Sequence, residues 1–182
     1  MSSYRSYGGG NSSPYMKVAK KVVSDYFSRP WLQGWQWSIE IVAPDAPSDV
    51  DIYVKDVSFG AGSVDSDVKV IGSGGIALPT TSSVGEITMT VRDEDSLVMN
   101  EWFDKRLALV KNKDGTINLP YEYVFEIRMF TISSDGTKKL LKSYQVFPTK
   151  KGDITWSREE VNTVASFPLV FQKFSSVGKK VF

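Results

Sequence analysis

Residues 85–110 change their hydrophobic period halfway along, and this change constrains the fold more than any other feature of the chain. The first half alternates apolar and polar residues, as does a strand with one buried face; its apolar residues are Ile87, Met89 and Val91. The second half repeats apolar residues at helical spacing; these are Val98, Met99, Trp102, Phe103 and Leu107. Asp93, Asp95 and Ser96, between the halves, are residue types that cap a helix and suit its positive end. We therefore predict a strand followed directly by a helix whose apolar side is core.

The length and composition of the chain are those of an ordinary globular domain. With 182 residues, one domain is the simplest organisation, and we predict it over residues 14–182. Residues 1–13 are mainly Ser, Gly, Tyr and Asn, so we predict a flexible arm that either orders against a neighbour or stays disordered. The net charge of +1 argues against a nucleic acid or an anionic membrane as the main partner.

The chain contains no cysteine and no histidine. Thiol nucleophiles, histidine acid–base chemistry and the usual zinc sites are therefore excluded. A carboxylate-only mechanism or an oxygen-ligated cation stays open, but no group of residues favours either, so we expect neither an enzyme nor a cofactor. No apolar run is long enough to span a membrane. Because residues 1–13 lack the apolar core of a signal peptide, we expect synthesis in a cytoplasm.

An N-terminal helix is predicted to begin at Ser13–Pro14, which are suited to the N-cap and first helical positions. It should end before Pro30, because a proline pushes the preceding residue out of the helical region. Its apolar stripe consists of Val18, Val22, Val23, Tyr26 and Phe27.

Alternating apolar residues predict a first strand that includes Trp35, Trp37, Ile39 and Ile41. Residues 50–59 predict a second strand, with a bulge where the apolar phase shifts at residues 55–56. The Trp residues between positions 31 and 37 also allow stacking on a sugar or a base, although Trp at period two is more often core.

Residues 60–83 are rich in Gly and Ser, yet they carry a short apolar ladder. The residues of this ladder are Val68, Val70, Ile71, Ile76 and Leu78. We predict a hairpin that projects from the body, because an exposed strand edge is a hazard in a monomer and useful in an assembly.

The C-terminal third reads as three more strands. We predict a strand over residues 121–133, a turn at Asp135–Gly136, a partner strand over residues 139–147 and a loop over residues 148–153. A short extended piece over residues 154–156 and a loop over residues 158–163 precede the last strand, residues 164–174, in which Pro168 indicates an edge or a bulge. The predicted core residues are Trp37, Ile39, Met99, Trp102, Phe103, Leu107, Phe167 and Leu169. Several of the six or seven strands are apolar on both faces, so a second sheet or another copy of the chain should cover them.

No group of residues indicates catalysis. The carboxylates of residues 93–95 stand at a helix start, where capping is their usual role. The glycines of residues 72–75 are not followed by a lysine at the spacing of a phosphate-binding loop, so we interpret them as a hinge. Two pairs of lysines, at residues 150–151 and 179–180, are too short for a nucleic-acid footprint.

The order of these segments resembles the tail tube proteins of contractile-tailed (myovirus-type) bacteriophages, which are related to the tube proteins of contractile injection systems. Three segments carry the resemblance: the N-terminal helix followed by WSIEI, then ITMTVRDEDSLVMNEWFD, then YQVFPTKKGDITWSREEVNTVASFPLVFQKF. Together they span residues 16–174. No single motif is specific, and the ordered set is what makes the match.

The resemblance implies a mainly β (α+β) protomer of sandwich or barrel type, with an N-terminal helix and one helix flanking the sheet. Hexameric rings would stack into a tube for DNA ejection, with the hairpin of residues 60–84 reaching the next ring. The implied contacts between subunits or rings are Val18, Val22, Tyr26, Val68, Val70, Ile71, Ile76 and Leu78. We expect acidic and small polar residues to outnumber Lys and Arg on the face that lines the lumen. The candidates occupy the polar phase of predicted strands, where Arg92 and Arg128 dilute the signal; they are Glu86, Thr88, Thr90, Glu122 and Glu126.

The implied partners are further copies of the chain, a sheath protein, baseplate and tail-terminator proteins, and a tape measure protein. DNA would pass through the lumen without sequence-specific binding, and no membrane is implied. The implied location is the virion, in the phage tail. Alternatives are a tube initiator ring near the baseplate, a tube protein of an injection system, or a β-sandwich module that binds carbohydrate or single-stranded nucleic acid.

Overall fold

A computed structural model of the chain describes residues 14–154, 159 and 164–175. Outside the described residues lie the predicted arm (residues 1–13, with the predicted N-cap Ser13), residues 155–158 and 160–163, and the tail from residue 176. In chain order the elements are α1 (Pro14–Ser28), β1 (Trp37–Val42), α2 (Val50–Tyr53), β2 (Val54–Phe59), β3 (Val64–Ile71), β4 (Gly74–Ser82), β5 (Glu86–Arg92), α3 (Val98–Ala108), α4 (Pro120–Tyr123), β6 (Phe125–Ile132), β7 (Lys138–Lys151) and β8 (Ser166–Lys173).

Six strands form one antiparallel sheet in the order β1-β6-β7-β8-β5-β2. Strands β3 and β4 form a separate hairpin. The predicted fold class is confirmed: the protein is mainly β, with an N-terminal helix and one helix flanking the sheet. Helix α2 connects the two edge strands, β1 and β2, and contacts both of them.

One face of the sheet and α3 enclose the core. Every strand of the sheet contributes buried residues to it, and α3 adds three side chains that are almost fully buried; these three are Met99, Trp102 and Phe103. The Trp102 ring lies 5.7 Å from Phe125 of β6 and 6.5 Å from Phe171 of β8, measured between centroids. Burying one such side chain contributes about 2–3 kcal/mol, so α3 is a main source of the stability of the sheet.

The carboxylate of Asp93 caps α3. It accepts hydrogen bonds from the backbone N–H groups of Met99 (3.2 Å) and Asn100 (2.9 Å). Leu97, which precedes the helix, adopts a left-handed conformation with φ of 54° and offers no side-chain cap. The predicted strand and helix are therefore confirmed, and of the three predicted capping residues it is Asp93 that bonds the helix.

Two predicted strands start later than expected, because a short helix occupies the start of each. Residues 50–53 form α2, whose Asp51 carboxylate accepts hydrogen bonds from Ser38 Oγ (2.6 Å) and Ile39 N (2.9 Å) of β1. Residues 120–123 form α4, since Pro120 stands at the first helical position and its carbonyl accepts from Val124 N. Glu122 therefore lies on a helix. The sequence had predicted it on the polar side of a strand, and that prediction is wrong.

Three further predictions change. Trp35 lies before β1 and is 72% exposed. Strand β7 continues through the predicted loop to Lys151, with an irregularity between Pro148 and Lys150. Pro168 lies in β8, a central strand, where Gly152 N donates to its carbonyl at 2.7 Å. The backbone N and C=O of an extended residue point to the same side of the strand. The N of Pro168, which carries no hydrogen, therefore also points to the place where β7 ends.

The bulge predicted at residues 55–56 is confirmed, since the β2–β5 register shifts between Val54 and Asp56. The predicted turn at Asp135–Gly136 is also confirmed and joins β6 to β7. Gly136 has a φ of 82°, a conformation that glycine adopts without strain.

Candidate assembly surfaces

Helix α1 presents an apolar stripe that nothing in the described part of the chain covers. None of its residues is buried. Val18, Val22 and Tyr26, which the resemblance assigns to contacts between subunits, are exposed by 62%, 62% and 57%. Beyond the helix, Trp31 donates from Nε1 to the Tyr26 carbonyl oxygen at 2.8 Å, and the two rings lie 5.1 Å apart. The end of α1 is thus fixed by an aromatic pair while its stripe faces solvent.

The β3–β4 hairpin is exposed along its whole length. Val68 and Val70 share one face, because strand residues two apart point the same way. The opposite face carries Ile71, Ile76 and Leu78; the register pairs Val68 with Ala77 and Lys69 with Ile76. Both faces of the hairpin therefore carry exposed apolar side chains that no described residue covers.

The root of the hairpin is held by several hydrogen bonds and by close backbone contact. Gly60 N donates to Glu86 O at 2.7 Å, and Ser83 N donates to Ser63 O at 2.8 Å. A Cβ on Gly85 would overlap the Gly60 carbonyl group, so this position requires glycine. The two ends of the hairpin therefore leave the body side by side.

The end of β8 fastens both ends of the hairpin. Lys173 donates from Nζ to Gly60 O at 2.6 Å and from its backbone N to Gly85 O at 3.1 Å. The same ammonium group lies 4.3 Å from the ring centroid of Tyr144. Burial, followed by repulsion from Lys142, lowers the pKa of Lys173.

Sequence reasoning missed this lysine, although a signal was present. Lys173 follows Phe167, Leu169 and Phe171 at period two, so it occupies the core-facing phase of β8. It is only 8% exposed.

The polar face of the sheet carries four of the five predicted lumen residues. Glu86, Thr88 and Thr90 lie on β5, in the phase opposite to its buried residues, and Glu126 lies likewise on β6. Glu122 lies on α4 and is not part of this face.

One arginine on this face is paired with carboxylates. Arg128 Nε lies 2.9 Å from Glu126 Oε1, and Arg128 Nη1 lies 3.7 Å from Glu40 Oε2. The hydrogen bond that Arg128 donates to the Glu126 carboxylate is the main cause of the raised pKa of Arg128.

The structure does not gather the Trp residues into a stacking platform. Trp31 packs on Tyr26, Trp35 is exposed in the turn before β1, and Trp37 packs against the core. Among the described residues, no group of acidic side chains could hold a metal ion. Within the same residues, no helix is long and apolar enough to cross a membrane.

The eight predicted core residues all lie in or against the core. Ile39, Met99, Trp102, Phe103, Phe167 and Leu169 are buried, whereas Trp37 and Leu107 are partly buried against them.

No protein-family model matches the chain, and a search of curated proteins finds no match by sequence. Solved structures do match the fold. A chain from the sheath–tube complex of PVC, an extracellular contractile injection system in the extended state, matches with a TM-score of 0.57 and 17% identity, over 84% of this chain and 93% of that one. A chain from the PVC sheath/tube terminator matches with a TM-score of 0.59 and 14% identity, over 81% and 96%. A chain from the tube-terminating cap of the anti-feeding prophage, AFP, matches with a TM-score of 0.55 and 16% identity, over 80% and 88%. The protein therefore has the fold of chains found in the sheath–tube and tube-terminator assemblies of contractile injection systems.

Proposed function

We propose that the protein is a structural subunit of the tube of a contractile tail or injection system, assembled as hexameric rings that stack. The observation that carries this proposal is that α1 and the β3–β4 hairpin expose apolar stripes while contributing no buried residue to the core. A core that is complete without them leaves these elements free for contacts with other copies. The fold similarity to chains of tube-containing assemblies supports the same conclusion.

The edges of the sheet support ring closure. Strands β1 and β2 are the two edge strands, and an unpaired edge is a template for pairing with another chain. In the ring that we propose, the sheets of neighbouring subunits join into a continuous inner barrel, and its lumen is lined by the polar face that carries Glu86, Thr88, Thr90 and Glu126. The pairing of Arg128 with Glu126 and Glu40 offsets one of the two arginine charges on this face, whereas Arg92 of β5 has no ion pair among the described residues.

The finer assignment is a phage tail tube, through which DNA is ejected into the host cell. Its partners are then the sheath, the tape measure protein and the baseplate and terminator proteins, and its location is the virion after assembly in the host cytoplasm. A related second candidate is a tube terminator, supported by the similarity to chains of the PVC terminator and the AFP cap. A repeating subunit would assemble into tubes of many stacked rings, whereas a terminator would assemble into a single ring.

The test uses two isosteric substitutions on one face of the hairpin, Val68→Thr with Val70→Thr. Threonine keeps the branched shape and strand preference of valine but replaces one methyl group with a hydroxyl group, so the hairpin still forms while its apolar contact weakens. We expect sedimentation of assembled wild-type protein and a clear loss of sedimentation in the double variant, while Ser66→Thr serves as the matched control. Equal sedimentation of all three proteins would contradict the role of the hairpin in assembly.

A further inference from the structure

The root of the hairpin forms one wall of a pocket of about 350 Å³. The other wall consists of Lys142 and Tyr144 of β7 and Lys173 of β8. Hydroxyl groups of Ser63 and Ser83 line the hairpin side and are 2.7 Å apart. The pocket therefore has hydroxyl groups on one wall and two lysine side chains on the other.

Neither lysine has a carboxylate partner among the described residues. Lys142 makes no ion pair within that part of the chain, and Lys173 bonds a neutral carbonyl group and faces the ring of Tyr144. Burial is the main cause of the lowered pKa of Lys173, and the nearby charge of Lys142 is the second cause, so the two ammonium groups are mutually unfavourable at this site. A carboxylate entering the pocket would stabilise both ammonium groups.

The hairpin carries an acidic residue that is available for this role. Asp65 is held by Thr81 Oγ1 at 3.0 Å. The Asp67 carboxylate has no hydrogen bond or ion pair within the described residues, and Asp67 lies on an element that is exposed on both faces.

Asp67 is unsuited to the pocket of its own chain. Val64 lines the pocket, whereas Asp67 lies three strand residues further along β3, beyond the register shift between Val64 and Ser66. Three residues of extended strand span about 10 Å, which is further than an aspartate side chain reaches. An Asp67 carboxylate in the pocket must therefore come from a second molecule.

We infer that the pocket at the hairpin root is a receptor site for a carboxylate of a second copy, and that Asp67 of the neighbouring hairpin supplies it. This inference rests on the proposed function. The contact joins two different surfaces of the same protein, and a head-to-tail contact of this kind either closes into a ring or propagates from copy to copy. Because we assign ring closure to the edge strands β1 and β2, we assign this contact to the stacking of rings. It would therefore fix the register in which successive subunits stack.

The test is an exchange of charges measured as the protein concentration needed for assembly, with thermal unfolding of each protein as a check on folding. We expect Asp67→Lys and Lys142→Glu each to raise that concentration at least about tenfold, because each places like charges in contact. Combining the two should restore assembly to within about threefold of wild type. Asp67→Asn should fall between wild type and Asp67→Lys, and Lys139→Glu, on the same strand outside the pocket, should have little effect.

The possible failures are distinguishable. If wild type assembles and both single variants assemble equally well, the receptor site is refuted while the tube function stands. If Lys142→Glu loses assembly and Asp67→Lys does not, the assignment of Asp67 is wrong. If wild type stays monomeric at every concentration, the contact between copies and the proposed function both fall.

Discussion

Lys173, near the end of the described chain, donates a hydrogen bond from its ammonium group to the carbonyl oxygen of Gly60, 113 residues earlier, at 2.6 Å. Gly60 is the residue at which the chain leaves the sheet for the hairpin. A buried charged donor therefore holds the element that we assign to assembly, and the strength of this bond should be measurable.

Lys173→Met keeps the length of the side chain and removes the donor. Leaving a buried carbonyl without a partner costs about 1–3 kcal/mol, so we expect lower stability and faster amide hydrogen exchange of Gly60 and Ser83. Lys142→Met is the matched control, because Lys142 lines the same pocket without bonding Gly60. Equal exchange in both variants would show that Lys173 does not fasten the root.

Gly85→Ala tests the close backbone contact at the same root. The added Cβ would overlap the Gly60 carbonyl group, so the backbone must shift, and overpacking of this kind costs about 1–3 kcal/mol. Gly34→Ala, where nothing lies within 4 Å of the added atom, is the control. We expect urea unfolding to separate the two variants clearly, and a Gly85→Ala protein as stable as Gly34→Ala would contradict the contact.

Substitutions at Trp102 should distinguish loss of volume from loss of a polar group. Trp102→Ala leaves a cavity between α3 and the sheet and should cost about 3–5 kcal/mol. Trp102→Phe keeps much of the volume and removes an indole N–H that has no hydrogen-bond partner in the structure, so it should cost clearly less. Urea denaturation measures both, and an equal loss from the two substitutions would refute this account of the core.

Asp93→Ala should weaken the start of α3. Removing the acceptor of Met99 N and Asn100 N costs about 1 kcal/mol, as loss of a helix cap usually does. Asp95→Ala, two residues away, removes the same charge from a residue with no described hydrogen bond and should cost less than about 0.5 kcal/mol. The midpoints of thermal unfolding compare the two, and a larger loss for Asp95→Ala would reverse the assignment of the cap.

Local pattern was sufficient to predict the elements whose period is unambiguous. The strand and helix of residues 85–110 and the projecting hairpin are confirmed, because apolar spacing and turn residues act over a few positions. The short helices α2 and α4 were missed, because four residues are too few to establish a helical period. The central position of β8 was missed because strand order depends on pairings between distant segments.

The assembly surfaces were partly predictable. The apolar ladder of the hairpin indicated a contact with another molecule, and the family resemblance implied one for α1; the identity of those molecules stays a proposal. The pocket at the hairpin root was not predictable, since Lys142, Lys173 and Gly60 come from three distant parts of the chain. A lysine in the apolar phase of a strand was the one local signal.

The central claim is that the exposed stripes of α1 and the hairpin are covered by other copies of the chain. Negative-stain electron microscopy of the purified protein over a range of concentrations tests it most directly. We expect six-fold rings that stack into hollow tubes for a repeating subunit, or single rings for a terminator. A monodisperse monomer at high concentration, with neither rings nor tubes, would contradict the account.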